Sequence, residues 1–349
     1  AYTPWTGVHR RAPVVLEWRA SLPRDDNLDC ATPRRESLLP TSGKQPSMAD
    51  GRVVAGILRA MDVETPRLLG EGGEGLVFAY DAVSVIKIYK QTTIEYLRQM
   101  QALQRVLANA ALPFATPAIL EIRQAGPVCY TIEQKLEGRL LDDVLATLSE
   151  HEARRALAAY FDALPALHAV ELPAEPYGQL LPSANRIQTE TWCAFLLAKL
   201  EQRAKVSWSW LERDVPRLRE KLGRLERLIA DTAGEPRKAL VHGDYSQYNV
   251  LLNDRLEVSA VLDFSVYTVV GDYRTDVACA VFFPEVSKAA RPSYLQFLRA
   301  RAIRQYGEEI EHSIRLHQLL YSFYNADNFG HNQQIYAACV NAITNSGLD

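Results

Sequence analysis

Apolar positions recur at helical spacing between Asp50 and Met61, where Val53, Val54, Ile57 and Leu58 predict a first helix. The pattern then shortens. "LVFAY" (Leu76 to Tyr80), "SVIKIY" (Ser84 to Tyr89) and "VCYTIEQ" (Val128 to Gln134) read as strands, the first two joined at Asp81 as a hairpin. Between the second and third, Ile94, Leu97, Met100, Val106 and Leu107 lie near one face of a helix over roughly Thr92 to Ala108. After Gly138 helical patterns dominate: Leu140 to Leu148, Glu150 to His168, Thr189 to Lys205 and Val215 to Asp231. Two strand-and-loop units, "VHGDYSQYNVLL" (Val241 to Leu252) and "VSAVLDF" (Val258 to Phe264), interrupt them before further helices run to the C terminus. Strands with one inserted helix, followed by a helical region, predict an α+β fold. A small β-rich N-lobe (48–133) is expected to join a larger, mainly helical C-lobe (134–349) through a connector near Glu133 to Gly138. Residues 1–47, broken by prolines and arginines, read as a disordered or non-native extension, with Met48 as the expected natural start.

Composition narrows the function classes. The 349 residues are 48% hydrophobic and 23% charged, with a formal net charge of −3. No overall basic field exists to hold a nucleic-acid backbone. No apolar run approaches the roughly 20 residues of a membrane span, and "VACAVFF" (Val277 to Phe283) is far too short. Five scattered cysteines form no C-x-x-C pair or Cys/His cluster. They read as isolated thiols in a reducing compartment, so a cytoplasmic location is expected. The first residues lack the apolar segment of a secretory leader. Oligomeric state is not legible.

Four stretches carry candidate chemistry. In "GEGGEGLV", Gly70, Gly72 and Gly75 fit G-x-G-x-x-G, and the β-alternating residues after them favour a loop joining two antiparallel strands. A dinucleotide-binding loop would open a helix instead. Glycines in such a loop let backbone N–H groups approach phosphate oxygens. Lys87 follows one hairpin later, either as a solvated lysine on an edge strand or as the strand lysine that holds phosphates. The helix after it contains only Glu95 as a candidate acidic partner. Asp244 lies five residues before Asn249, giving H-x-D-x-x-x-x-N. The aspartate suits proton acceptance from an attacking hydroxyl, and the asparagine offers a neutral oxygen to Mg²⁺. An ordinary polar turn is the alternative. Asp263, at the end of "VLDF", suits a second metal ligand or a turn cap.

All four parts occur in order, and the sequence there resembles the aminoglycoside phosphotransferase and choline-kinase-like family of small-molecule kinases. The resemblance is carried by "GEGGEGLV", "VIK", "YTIEQKLEGRLLDDVL", "LPALHAVELP", "VHGDYSQYNVLL" and "VLDFSVYTVVGDYRTDVA", spans about Leu68 to Val281 closely, and does not reach Ala1 to Ser47. It implies a two-lobed protein-kinase-like fold, ATP or GTP as donor, and Mg²⁺. It further implies Asp244 as catalytic base, His242 as its structural neighbour, and Asn249 and Asp263 as metal ligands. Lys87 and the Gly70 to Gly75 loop become phosphate contacts, and backbone groups of Gln134 and Leu136 meet the nucleotide base. Asp276 is implied as a brace of the metal loop. Ser265 and "YSQY" (Tyr245 to Tyr248) depart from the family pattern.

Ser246 stands where a protein kinase carries lysine, and the chain after Asp263 leaves little room for a peptide-docking segment. A small-molecule acceptor is therefore expected, with an aminoglycoside-type antibiotic leading and resistance as the associated trait. Asp272, Glu308, Glu309, Glu311 and Asp327 are candidate carboxylates for its ammonium groups, although "GEEIEH" also reads as a solvated helix face. Aromatic residues in "YSFYNADNF" (Tyr321 to Phe329) are candidate contacts for an amine, a sugar or a macrolide ring. Choline, homoserine and sugar derivatives are alternative acceptors, and a nucleotide-binding protein without turnover is the competing class.

Overall fold

A computed structural model describes residues 51–172, 175–287, 289–330 and 332–348. All of these belong to one compact unit, Gly43–Asp349. The expected extension 1–47 and the expected start at Met48 lie outside the described residues.

The N-terminal region is a five-stranded sheet with a helix before and a helix within it. Helix α1 (Gly51–Ala60) precedes β1 (Leu68–Glu71), β2 (Gly75–Ala79) and β3 (Ser84–Tyr89). Asp81 accepts hydrogen bonds from the backbones of Val83 (2.8 Å) and Ser84 (2.7 Å), which tightens the predicted hairpin. Helix α2 (Ile94–Asn109) starts at Thr93, whose hydroxyl caps Tyr96 N–H at 3.1 Å. Strands β4 (Ile119–Ala125) and β5 (Val128–Gln134) complete the sheet in the order β1-β2-β3-β5-β4. Strand β3 is therefore central, and Lys87 is not on an edge. Its neighbours Ile86 and Ile88 are fully buried with Phe78, Ile132, Ile57 and Leu58, so one face of the sheet closes on α1. Strand β4 escaped the sequence reading because, as an edge strand, it buries one residue, Ile119, and shows no clean apolar–polar alternation.

The C-terminal region is mainly helical. It opens with β6 (Arg139–Leu140), α3 (Leu141–Leu145), α4 (Glu150–Asp162) and α5 (Leu164–His168). The single helix expected over Glu150 to His168 is thus two, because Pro165 lacks an N–H and sits at a helix start. Next come β7 (Tyr177–Gln179), β8 (Gln188–Thr189), α6 (Trp192–Asp214) and α7 (Leu218–Thr232). Helix α6 outruns the expected end at Lys205 by nine residues; its buried stripe continues through Ser207, Trp208 and Leu211. Strands β9 (Ala239–Val241), β10 (Val250–Leu252), β11 (Val258–Val261) and β12 (Val269–Gly271) follow. They form two small sheets, β11-β10-β6 and β8-β7-β12-β9. Helices α8 (Arg274–Phe282), α9 (Pro292–Tyr306), α10 (Ile310–Tyr324) and α11 (Gln333–Thr344) end the chain. Ala115 bonds to both Ser259 and Val261, tying the α2–β4 connection to β11 beside Asp263.

Candidate active site

The loop 242–249, between β9 and β10, is built around a buried carboxylate that the helix after it supplies. Asp276, on α8 and fully buried, accepts the backbone N–H of His242 through Oδ2 (2.7 Å) and of Gly243 through Oδ1 (2.9 Å). His168 Nε2 lies 3.2 Å from the same Oδ2. Gly243 turns at φ +76°, and a Cβ there would stand 2.0 Å from Tyr267 O, so only glycine fits. Tyr321 donates to Gly243 O. Tyr160 and Tyr245 exchange hydroxyl-to-carbonyl bonds at 3.0 and 2.7 Å with their rings stacked, which seats Tyr245 of "YSQY" in the core.

His242 links this loop to the next. Its Nδ1 accepts Asp244 N–H at 3.2 Å, and its Nε2, 2.7 Å from Leu262 O, is therefore assigned the proton. Asp276 thus braces the 242–249 loop, and reaches the Asp263 loop only through His242. That sharpens the implied brace of the metal loop into one step removed.

The Asn249 side chain donates through Nδ2 to Asp244 O (2.9 Å) and Asp244 Oδ2 (3.1 Å). With its amide hydrogens turned to Asp244, the oxygen of this buried amide is left open to accept a hydrogen bond or ligate a cation. Asn249 O also accepts Leu262 N–H at 2.8 Å, which brings Asn249 next to Asp263. Asp263 itself is held at φ +60°, a conformation that costs a non-glycine residue about 1–3 kcal/mol. Burial raises the Asp244 carboxyl to about 6, and the Asp263 and Asp276 carboxylates add to the rise against the opposing pull of His242 and Asn249.

Lys87 is oriented by an acid that lies outside the expected helix. Its Nζ is 2.7 Å from Glu74 Oε2, inside "GEGGEG" itself. Glu95 is exposed and bonds Gln99 instead. Burial alone would lower the Lys87 ammonium, but Glu74, Glu133 and Asp263 together hold it above its ordinary value. Tyr96 on α2 turns a buried hydroxyl with no partner among the described residues toward this group. Burial raises that phenol, and the Glu74 and Asp263 carboxylates raise it further, against Lys87. The three glycines differ. An added Cβ at Gly70 or Gly72 meets nothing within 4 Å, whereas at Gly75 it would lie 2.2 Å from Ile88 O of β3. Gly75 is required by strand packing. At the connector, Gln134 N–H donates to Ala118 O (2.9 Å) and Lys135 N–H to Val83 O (2.8 Å). The Leu136 N–H has no backbone partner among the described residues.

A cleft of about 370 Å³ opens at Asp244 and Asn249, walled by Ser246, Tyr248, the α8 end, α10 and α11. None of the five expected carboxylates lines it. Asp272 is buried against Arg274 (2.7 Å), Glu311 pairs with Arg299, Asp327 with Arg203 (2.6 Å), and Glu308 and Glu309 are exposed on the surface. Of "YSFYNADNF", Tyr321, Ser322 and Asn325 face the cleft, while Phe329 stacks on Trp210. The sequence reading missed Glu74, Tyr96 and the α11 wall; only Glu74 left a signal, since it stands within the glycine motif.

Comparison with known proteins follows the same outline. A sequence model of the phosphotransferase enzyme family matches residues 65–312. No curated protein matches. Among solved structures, the gentamicin complex of APH(2")-IIa is 20% identical with a TM-score of 0.59, covering 86% of this chain and 98% of that one. ADP-bound APH(2'')-Ib is 20% identical, with a TM-score of 0.57 and the same coverage. The GDP complex of aminoglycoside 2'-phosphotransferase-IIIa is 13% identical, with a TM-score of 0.59, covering 84% of this chain and 97% of that one. At these identities the likeness establishes the fold, a β-rich region followed by a helical one as in the kinase-like phosphotransferases. Among the described residues no helix is long and apolar enough to cross a membrane.

Proposed function

The chain belongs to the phosphotransferase enzyme family, and from that premise we propose that it moves the γ-phosphoryl group of ATP, with GTP as the alternative donor, to a hydroxyl of a small molecule in a Mg²⁺-dependent reaction. The observation that carries this reading is the Asp244–Asn249 pair, hydrogen-bonded at 3.1 Å, at the mouth of a cleft large enough for an acceptor.

In this reading Asp244 takes the acceptor proton; burial makes it a stronger base than a solvated aspartate. The acceptor oxygen forms its bond to the γ-phosphorus, the bond to the β–γ bridging oxygen breaks, and the nucleoside diphosphate leaves with that electron pair. Asn249 and Asp263 would hold Mg²⁺, and the donor set fits: one carboxylate and one amide oxygen left open by its own hydrogen bonds. Bound there, Mg²⁺ supplies charge neutralisation at the phosphate oxygens. Lys87 and the loop carrying Gly70, Gly72 and Gly75 bind the phosphates, and the backbone at Gln134 and Leu136 binds the base. The division of labour follows the chain, with 48–133 covering the nucleotide and 134–349 carrying the base, the metal ligands and the acceptor cleft. A cytoplasmic setting agrees with the free thiols of Cys129, Cys193, Cys279 and Cys339. A small-molecule acceptor is supported by a relative of the same fold that binds gentamicin.

The test is release of ADP or GDP on adding nucleotide, Mg²⁺ and acceptors drawn from aminoglycosides, macrolides, choline, homoserine and sugar derivatives. Acceptor-stimulated release that stops when Mg²⁺ is chelated is expected. Nucleotide binding with no release under any acceptor would leave a binding protein instead.

Glu74 yields a separate expectation. Its carboxylate occupies the ammonium that phosphates must reach, so Glu74→Gln is expected to tighten ADP binding about three- to fivefold, the scale of a partly exposed ion pair. Titration calorimetry reads it. Weaker binding in the variant would mean that Glu74 supports Lys87 rather than competing for it.

A further inference from the structure

We propose that the acceptor is a hydroxylated molecule with a broad apolar face and no more than one cationic centre, an assignment that rests on the phosphotransferase reading above. Two charged side chains line the cleft, Asp244 and the exposed Glu285, and no lysine or arginine does. Asp244 is committed to the acceptor hydroxyl, which leaves one carboxylate for an ammonium group. The rest of the wall is of another kind. Phe282 and Phe283 meet edge to face at 4.7 Å, Ile335 adds aliphatic surface, and Gln318, Asn325 and Asn341 offer neutral amides.

Such a lining discriminates by charge count. Each ammonium drawn from water into an apolar wall without a carboxylate loses hydration that nothing replaces. The acids that might have served a polycation are elsewhere. Asp272, Glu311 and Asp327 are each paired with an arginine, and Glu308 and Glu309 lie outside the cleft. A single amine, by contrast, has a carboxylate, Glu285, and aromatic rings, Phe282 and Phe283, in the same wall to meet it. Neutral hydroxyls and ethers match the three amides. Tyr248, exposed at the rim with its hydroxyl 3.4 Å from Val286 O, extends the apolar surface outward. Ser246 and Tyr248 of "YSQY" therefore face the acceptor, while Tyr245 and Gln247 are buried.

The probes are erythromycin, an apolar polyol with one tertiary amine, and kanamycin A, a compact polyamine. Both are offered to the purified full chain with Mg·ATP and, separately, Mg·GTP, and phosphorylated product is read by mass spectrometry. Erythromycin is expected to be turned over with a kcat/KM about 100-fold above that of kanamycin A, the discrimination expected for ammonium groups left without partners. Glu285→Gln is expected to raise KM for erythromycin about threefold, the scale of one exposed ion pair. Equal or better turnover of kanamycin A overturns the assignment, as does failure of erythromycin to be modified. ADP and GDP binding by calorimetry keeps the two levels apart. If ADP or GDP binds and kanamycin A is the better acceptor, the charge assignment alone falls; if neither nucleotide binds, the phosphotransferase reading falls and takes the assignment with it.

Discussion

Asp244→Asn is expected to lower kcat by about 10³-fold, the middle of the range for removing a general base, while ADP still binds. Asparagine keeps the size of the side chain and can still accept Asn249 Nδ2 through its oxygen, so the loop geometry survives. What is lost is the capacity to take the acceptor proton. Stability provides the control. The folded carboxyl stands near 6 against an ordinary 3.8, because burial and the neighbouring carboxylates oppose its ionisation. A group whose folded value is raised favours the fold at low pH and loses that contribution as pH rises through the folded value. Two units correspond to about 3 kcal/mol at most. The metal-free variant is therefore expected to melt a few degrees above wild type at pH 7.5, with the gap closing as pH falls from 6 toward 4. Both halves are read with one protein preparation, by steady-state turnover and by thermal melts across pH. Turnover within tenfold of wild type would remove Asp244 from the mechanism, and a lower melting temperature would mean that the carboxylate holds the loop together.

Asp276→Ala is expected to be the most damaging change to the fold near the site. The substitution leaves the His242 and Gly243 N–H groups buried without an acceptor and removes the neighbour of His168. Removing one side of such a buried charged arrangement costs about 3–5 kcal/mol, enough to lower the melting temperature by about 10 °C. Asp276→Asn retains the volume but turns a donor toward one of the two N–H groups, so an intermediate loss is expected. Differential scanning calorimetry distinguishes the three proteins. A melting temperature for the alanine variant within a degree of wild type would show that the loop has another support. Because the Gly243 turn admits no Cβ and Asp263 is held at positive φ, the loops on either side of His242 cannot relax independently. Loss of the brace is therefore expected to reduce turnover as well as stability.

The sequence by itself determined the elements that local chemistry specifies. The hairpin at Asp81, the helix over roughly Thr92 to Ala108, the strand carrying Lys87 and the loop from His242 to Asn249 each follow from periodicity and turn residues a few positions apart. The order of glycine loop, lysine, aspartate–asparagine pair and final aspartate was legible for the same reason: it is a one-dimensional pattern. Edge strand β4 was not, since an edge strand buries too little to alternate cleanly, and neither was the break at Pro165 within an otherwise continuous helical pattern. Only the tertiary structure decided which partners meet across long stretches of chain. It set Glu74 rather than Glu95 beside Lys87, because a turn between two strands reaches the central strand while the exposed face of α2 does not. It sent Asp272, Glu311 and Asp327 to arginines, since a carboxylate near a guanidinium is held there whatever its neighbours in sequence suggest. It also built the acceptor wall from α8, α10 and α11, whose facing residues are set by helix packing. In "VHGDYSQYNVLL", spacing offered Asp244 and Asn249 as candidates, whereas packing divided the residues between them: Tyr245 locks into the core against Tyr160, and Tyr248 opens onto the cleft.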